Sequence, residues 1–76
     1  MNRDRRKELE EVAQQLNELK DTLETIQADE EEYRDNILEN LHGSERYEKA
    51  DNACDNLIFA ISGLEEVIEY VEEAAS

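Results

Sequence analysis

Glu39 and His42 are the two residues whose types and spacing best fit metal chemistry. A Glu followed three positions later by a His lies on the same helical face, so both side chains can reach one ion. Di-iron helical bundles combine this Glu-x-x-His pattern with further glutamates on facing helices. His42 also precedes Gly43 at the end of a helical pattern, where a histidine commonly caps backbone carbonyls. Because no second inward glutamate motif accompanies the pair, we expect no bound metal and no other cofactor.

The residues that could support covalent or acid–base catalysis are too few to form a set. Cys54 is the single cysteine and His42 the single histidine, and they lie on different predicted helices. Cys54 falls in an apolar row, so we expect a buried and unreactive thiol. We therefore predict that the protein is not an enzyme. A lone thiol that cannot form an internal disulfide is typical of a reducing compartment, and we expect a cytoplasmic location.

Acidic residues dominate the composition. The 76 residues include 22 Asp and Glu against 8 Lys and Arg, which gives a net charge of −14. This balance argues against direct binding to nucleic acid or to anionic lipid, because phosphates require cations. No stretch approaches the roughly 20 apolar residues of a membrane span. Half of the basic residues lie in residues 1–8, so a small basic tip precedes an acidic body.

A short acidic run and a second acidic pair are either solvated surface or a docking patch for Arg and Lys on a partner. The acidic candidates for a partner surface are Asp29, Glu30, Glu31, Glu32, Glu65 and Glu66. Glu30 also occupies a position in the apolar row of the first predicted helix. There it is either buried and helps to fix the helix pairing, or it reaches solvent because the helix bends or rotates.

The first predicted helix covers about residues 3–41. Its apolar residues alternate by three and four positions, as in the a/d seam of a coiled coil. The members of this seam are Leu9, Val12, Leu16, Leu19, Leu23, Ile26, Tyr33 and Ile37.

Residues 42–44 predict one sharp turn. Gly43 fits a left-handed C-cap and Ser44 fits the N-cap of the next helix. A short turn makes consecutive helices antiparallel neighbours, so residues 9–76 form a single helical-hairpin domain. Arg46, just after the turn, is expected to pair with Glu39 or Glu45. The predicted fold class is all-α, a two-helix antiparallel coiled-coil hairpin.

The second predicted helix covers about residues 45–75 and carries an unbroken a/d seam. A flanking stripe of small residues gives it more apolar surface than one partner helix can cover. We therefore predict a homodimer that forms a four-helix bundle, with a heteromeric partner on the same stripe as the alternative. Phe59, at an outward position, is the best single candidate for a partner anchor. The predicted interface residues are Ala53, Ile58, Phe59, Ala60, Val67 and Ala74.

The residues around the turn also carry a resemblance. They match the core Asn-x-x-Glu-x-Leu-x-x-Ser-Glu-Arg, which is formed here by Asn36, Glu39, Leu41, Ser44, Glu45 and Arg46. In this core and in the Leu-Glu-Glu repeats that follow, the chain resembles a group of short, acidic, uncharacterised helical proteins from phages and mobile elements of Firmicutes. Members often have Pro where this chain has Leu38, so the first helix either ends early or runs on to the turn. The resemblance implies a phage-borne accessory role.

Three functional hypotheses follow. The first is a non-catalytic protein-interaction module, a phage or mobile-element accessory protein that binds a host or phage protein. The second is an acidic inhibitor that imitates nucleic acid and occupies the basic groove of a defence nuclease. The third is a carboxylate metal-binding helical bundle. The expected partners are a second copy of the chain and another protein, with a basic surface among the candidates.

Overall fold

The computed structural model describes all 76 residues as two long helices joined by a short connection. Helix α1 spans Arg3–Asp35, a 3-10 helix spans Glu39–Leu41, and helix α2 spans Glu45–Ala75. The two α-helices pack against each other in antiparallel orientation, as a rod with Cα extents of 59 × 14 × 13 Å. This confirms the predicted all-α helical hairpin. Neither helix has a segment long and apolar enough to cross a membrane.

Both α-helices begin at a side-chain cap. The Oδ1 atom of Asn2 accepts a hydrogen bond from the backbone N–H of Arg5 at 2.8 Å. The Oγ atom of Ser44 accepts one from the backbone N–H of Tyr47 at 3.2 Å. Each cap satisfies a donor that the first turn of a helix leaves free. The predicted N-cap role of Ser44 is confirmed.

The first helix ends earlier than the predicted boundary near residue 41. It stops at Asp35, and Leu38 adopts an extended conformation before the 3-10 helix begins. The buried side chain of Ile37 lies at this end of the hairpin core. The Nε2–H of His42 donates to the Ile37 carbonyl at 3.2 Å, and the His42 ring stacks on Tyr47 with centroids 4.2 Å apart. These contacts replace the last helical turn, so the helix ends early although no proline is present.

The turn also differs in detail from the prediction. Gly43 does not have a positive φ, so the predicted left-handed C-cap is wrong. The Ser44 N–H donates to the Leu41 carbonyl at 3.0 Å and closes the reversal as a tight turn, which makes a left-handed residue unnecessary. Arg46 does not pair with an acid. Its Nε–H donates to the Tyr33 hydroxyl at 2.7 Å, and its guanidinium lies over the Tyr33 ring.

The core follows the predicted seam on α2 but a different one on α1. The seam of α2 is inward, and its buried residues are Ala50, Cys54, Ile68 and Ala75. On α1 the inward row instead contains the buried Ala13 and the half-buried Lys20, Gln27 and Arg34. Four residues predicted to lie inward are 40–57% exposed, namely Val12, Leu19, Ile26 and Tyr33. The prediction was wrong for these four residues.

The rotation of α1 has a simple physical origin. Two overlapping rows share Leu9, Leu16 and Leu23. In one row the next member lies three residues after each leucine, and in the other it lies four residues after. The single seam of α2 can cover only one of these flanks. In the observed packing Arg34, a member of the second row, turns toward α2, where its guanidinium bonds to Asp51 at 3.1 Å.

The hairpin buries little of its own surface. Only 6 of 76 residues are buried, and the accessible surface is 5828 Å². A compact monomeric protein of 8.9 kDa is expected to expose about 4,800 Å². The additional exposed area includes large apolar side chains on both helices.

Candidate functional site

Two rows of exposed or half-buried apolar residues run along the hairpin. Each row has a spacing of seven, so its members stack along one side of their helix. The α1 row consists of Val12, Leu19, Ile26 and Tyr33. The α2 row consists of Ala53, Ala60, Val67 and Ala74. Each member of the α2 row directly precedes a core residue, and each member of the α1 row directly precedes an inward residue such as Ala13.

The two rows lie on the same side of the hairpin. An antiparallel helix pair has an approximate two-fold axis, so residues that precede an inward position point to the same side in both helices. A direct contact supports this placement. Tyr33 is the last member of the α1 row, and its hydroxyl accepts a 2.7 Å hydrogen bond from Arg46, seven residues before Ala53.

Together with their outer neighbours, the two rows make a continuous uncharged face. The neighbours are neutral or small, namely Gln15, Thr22, Asn56, Gly63 and Tyr70. Charged residues form 39% of the chain, yet none of the thirteen residues of this face is charged. Charge returns at its borders, with Glu8 at one end and Asp29, Arg46 and Lys49 at the other. The uncharged face therefore differs in composition from the rest of the surface of this acidic chain.

Gly63 on this face has no role within the hairpin itself. A Cβ atom built on Gly63 would meet nothing within 4 Å. A glycine inside a helix costs about 1 kcal/mol relative to alanine. The packing of the hairpin therefore does not require a glycine at this position.

The opposite side of the hairpin is acidic. The residues that follow inward positions lie there, and the acidic ones include Glu10, Glu24, Glu31, Asp51, Glu65 and Glu72. We call this side the acidic face. Of the 22 carboxylates of the chain, only those of Asp35, Glu45 and Asp51 form ion pairs. The remaining negative charge is available to an external cation-bearing surface.

The acidic residues predicted to form one partner surface are divided between two regions. The Arg34–Asp51 bond places residues at the same level when their numbers add to about 85. Residues 29–32 therefore lie beside residues 53–56, whereas Glu65 and Glu66 lie beside Lys20. Within the run, Asp29 and Glu32 are exposed while Glu30 and Glu31 are half-buried. The helix is continuous through them. Glu30 thus lies at the edge of the helix pair.

The predicted interface residues are also divided. Four of the six, Ala53, Ala60, Val67 and Ala74, belong to the uncharged face. Phe59 is 71% exposed on the outer side of α2, away from α1. Ile58 lies among the carboxylates of the acidic face. Sequence reasoning missed the matching α1 row, because its residues had been assigned to the core. The signal was the spacing of seven that both rows share.

Cys54 offers no reactive centre on the surface. Its side chain is fully buried in the helix interface. Burial raises the pKa of the Cys54 thiol, the nearby Arg34 charge opposes that rise, and Glu30 and Glu31 reinforce it. The thiol therefore stays protonated at neutral pH, which disfavours nucleophilic chemistry.

Glu39 and His42 do not come together with a third ligand. No group of three His, Cys, Asp or Glu side chains is placed to hold a metal ion. Glu39 begins the 3-10 helix, and the His42 ring is held by the Ile37 carbonyl and Tyr47. Glu39 and His42 therefore make the contacts of residues at the end of a helix. A shallow concavity lined by Met1, Arg5, Glu8, Leu9 and Val12 lies at the N-terminal end of α1, across the border of the uncharged face.

No protein-family model matches the chain, and neither a curated protein nor a solved structure is significantly similar to it.

Proposed function

We propose that this chain is a non-catalytic protein-interaction module that self-associates through its uncharged face and presents its acidic faces outward. The observation that carries the proposal is the separation of charge on the hairpin. Thirteen contiguous surface positions lack charge on a chain with a net charge of −14. In the accessory role that the resemblance implies, the outward surface engages a host or phage protein.

The size of the uncharged face supports a stable contact. Val12 to Tyr33 covers about 32 Å of helix at 1.5 Å per residue, and two adjacent helices are about 20 Å wide. Covering this face would bury about 640 Å² on each partner. Standard specific interfaces bury roughly 800 Å² per partner, so the area is close to that class.

The proposal is tested by placing one charge on the uncharged face. Ile26→Lys introduces a cation in the middle of the α1 row, and Thr25→Lys makes the same charge change on the outer side of the same helix. We expect sedimentation equilibrium to give a dimer for the parent chain and for Thr25→Lys, and a monomer for Ile26→Lys. A parent chain that remains monomeric at high concentration, or equal behaviour of the two variants, contradicts the proposal.

A second candidate function rests on the unpaired carboxylates. Glu10, Glu24 and Glu31 follow one another every seven or fourteen residues along α1, and Glu65 and Glu72 lie along α2. Rigid rows of anionic groups can occupy a basic groove that otherwise binds nucleic acid. This acidic-inhibitor function predicts that the chain slows DNA cleavage by a nuclease with a basic groove. The inhibition should disappear at high salt and weaken in a Glu24→Gln/Glu65→Gln variant.

A further inference from the structure

The two rows of the uncharged face differ in size, and this difference specifies how a second copy would fit. The α1 row is large, with Leu19 and Ile26 at its centre. The α2 row is small, with Ala60 at its centre and Gly63 beside it. One hairpin therefore presents a ridge and a shallow groove side by side. The two features have the same length and no charge, so a single surface carries both halves of a complementary contact.

Within one hairpin the ridge and the groove are matched level by level. The Arg34–Asp51 bond sets the alignment of the two helices. It places Ile26 at the level of Ala60 and Leu19 at the level of Val67. Tyr33 and Val12 then lie near Ala53 and Ala74, at the two ends. Every large residue has a smaller one at its own level.

We propose that two copies associate about a two-fold axis parallel to the long axis of the hairpin, with α1 of each copy on α2 of the other. This arrangement rests on the self-association proposed above and specifies its geometry. A rotation about that axis leaves each residue at the same height along the hairpin and exchanges the positions of α1 and α2. The Ile26 side chain of one copy then meets Ala60 of the other, and Leu19 meets Val67. Large residues fill the space that small residues leave, as packing at interior density requires.

The other two-fold arrangement fits less well. An axis perpendicular to the hairpin would place α1 on α1 and α2 on α2. Leu19 would then meet Ile26, while Ala60 would meet Val67. Large residues would face large ones along one side of the bundle and small residues would face small ones along the other. The two sides would require different helix separations, which two straight packed hairpins cannot both satisfy without a void.

The position of the charged residues is consistent with a second copy as the occupant, although the net charges of the two chains repel each other. In the proposed bundle the acidic faces of the two hairpins point away from each other. The buried contact contains only uncharged side chains, so no carboxylate is desolvated. Gly63 lies beside the groove, where its missing side chain allows the partner helix to approach.

Disulfide cross-linking between two single-cysteine variants tests this geometry. The variants are made in a Cys54→Ala background, which removes the native thiol. Ile26→Cys mixed with Ala60→Cys should give a disulfide-linked dimer of the two variants under mild oxidation. Leu19→Cys mixed with Val67→Cys should do the same. Mixtures of Ile26→Cys with Leu19→Cys, and of Ala60→Cys with Val67→Cys, serve as matched controls and should cross-link at least ten-fold less.

The outcomes separate this inference from the function on which it rests. Cross-linking in the first two mixtures supports the axis parallel to the hairpin. Preferential cross-linking in the control mixtures overturns that axis, while the self-association stands. A parent chain that sediments as a monomer at high concentration overturns both.

Discussion

Arg34 forms the one ion pair that joins α1 to α2. Its Nε–H donates to Asp35 at 3.0 Å and a terminal N–H donates to Asp51 at 3.1 Å. The hydrogen bond to Asp35, followed by the neighbouring negative charge, raises the pKa of the guanidinium, so it is charged at every accessible pH. A permanent cation at this position favours the rotation of α1 that turns Arg34 toward α2 and leaves Tyr33 outside.

Arg34→Lys is expected to lower the thermal stability of the protein. Lysine keeps the charge but lacks the planar fork that reaches both carboxylates at once. Arg3→Lys, an equal change at the exposed start of α1, is the control and should leave the melting temperature unchanged. Thermal unfolding followed by circular dichroism measures both. Equal melting temperatures for the two variants would show that the planar fork of Arg34 is not needed to hold the two helices together.

Cys54 gives the protein a pH dependence at its alkaline end. Burial raises the pKa of the thiol above its ordinary value of 9.0. The folded state therefore holds this proton more tightly than the unfolded state does. The contribution to stability is complete below about pH 9 and is lost as the pH rises through the folded-state pKa.

The measurement is chemical unfolding from pH 7 to pH 10.5 for the parent chain and for Cys54→Ala. We expect the parent to lose more stability than the variant above pH 9, because the variant has no thiol to ionise. Alkylation of Cys54 by iodoacetamide should be slow in the folded parent and fast in urea. Parallel stability curves for the two proteins would contradict a raised pKa in the folded state.

At the level of helices, most of the fold could be predicted from the sequence. The Gly43–Ser44 pair located the reversal, Ser44 is the cap that its side chain predicted, and the seam of α2 lies inward. The flank of α1 could not be read from the sequence, because the row of Val12 is apolar throughout whereas the row of Ala13 continues through polar residues. The helix nevertheless turns the second row inward, and the contact of Arg34 with Asp51 across the pair is a tertiary interaction that residue spacing does not reveal.

The residue at which α1 ends could not be predicted from the sequence for a related reason. Residues 36–41 have no proline and good helix formers, so local preference favours continuing the helix. What ends it is a set of contacts with residues further along the chain. His42 bonds to the Ile37 carbonyl and stacks on Tyr47, and neither contact is visible in residue spacing.

Ile37 and Leu38 test this account of the connection, because they are adjacent and differ in burial. Ile37 is 7% exposed and Leu38 is 67% exposed. Ile37→Ala removes a buried side chain and is expected to lower the free energy of unfolding by about 2–4 kcal/mol. Leu38→Ala should change it by about 0.5 kcal/mol or less. Urea unfolding measures both changes. A larger effect at Leu38 than at Ile37 would contradict the burial of Ile37 at this end of the hairpin core.

For the molecule as a whole, the charge distribution separates two kinds of contact. The uncharged face brings together two chains that each carry −14. Their mutual repulsion acts over the whole rod and opposes pairing at low ionic strength. The acidic faces have the opposite property, since their attraction for a basic surface is strongest when little salt is present.

Salt should therefore change the two contacts in opposite directions. Between about 20 mM and 500 mM NaCl the Debye length falls from about 20 Å to about 4 Å, which screens repulsion between the two hairpins. We expect the dimer Kd, measured by sedimentation equilibrium, to fall over this range, so dimerisation becomes tighter. The affinity for a cationic peptide such as oligo-lysine should instead become weaker. Ile26→Lys should lose the first effect and keep the second, because it alters only the uncharged face. A dimer that weakens with salt would place carboxylates and basic side chains inside the contact. The basic tip of residues 1–8 would then be the source of those cations, and the uncharged face would not be the surface that joins the two copies.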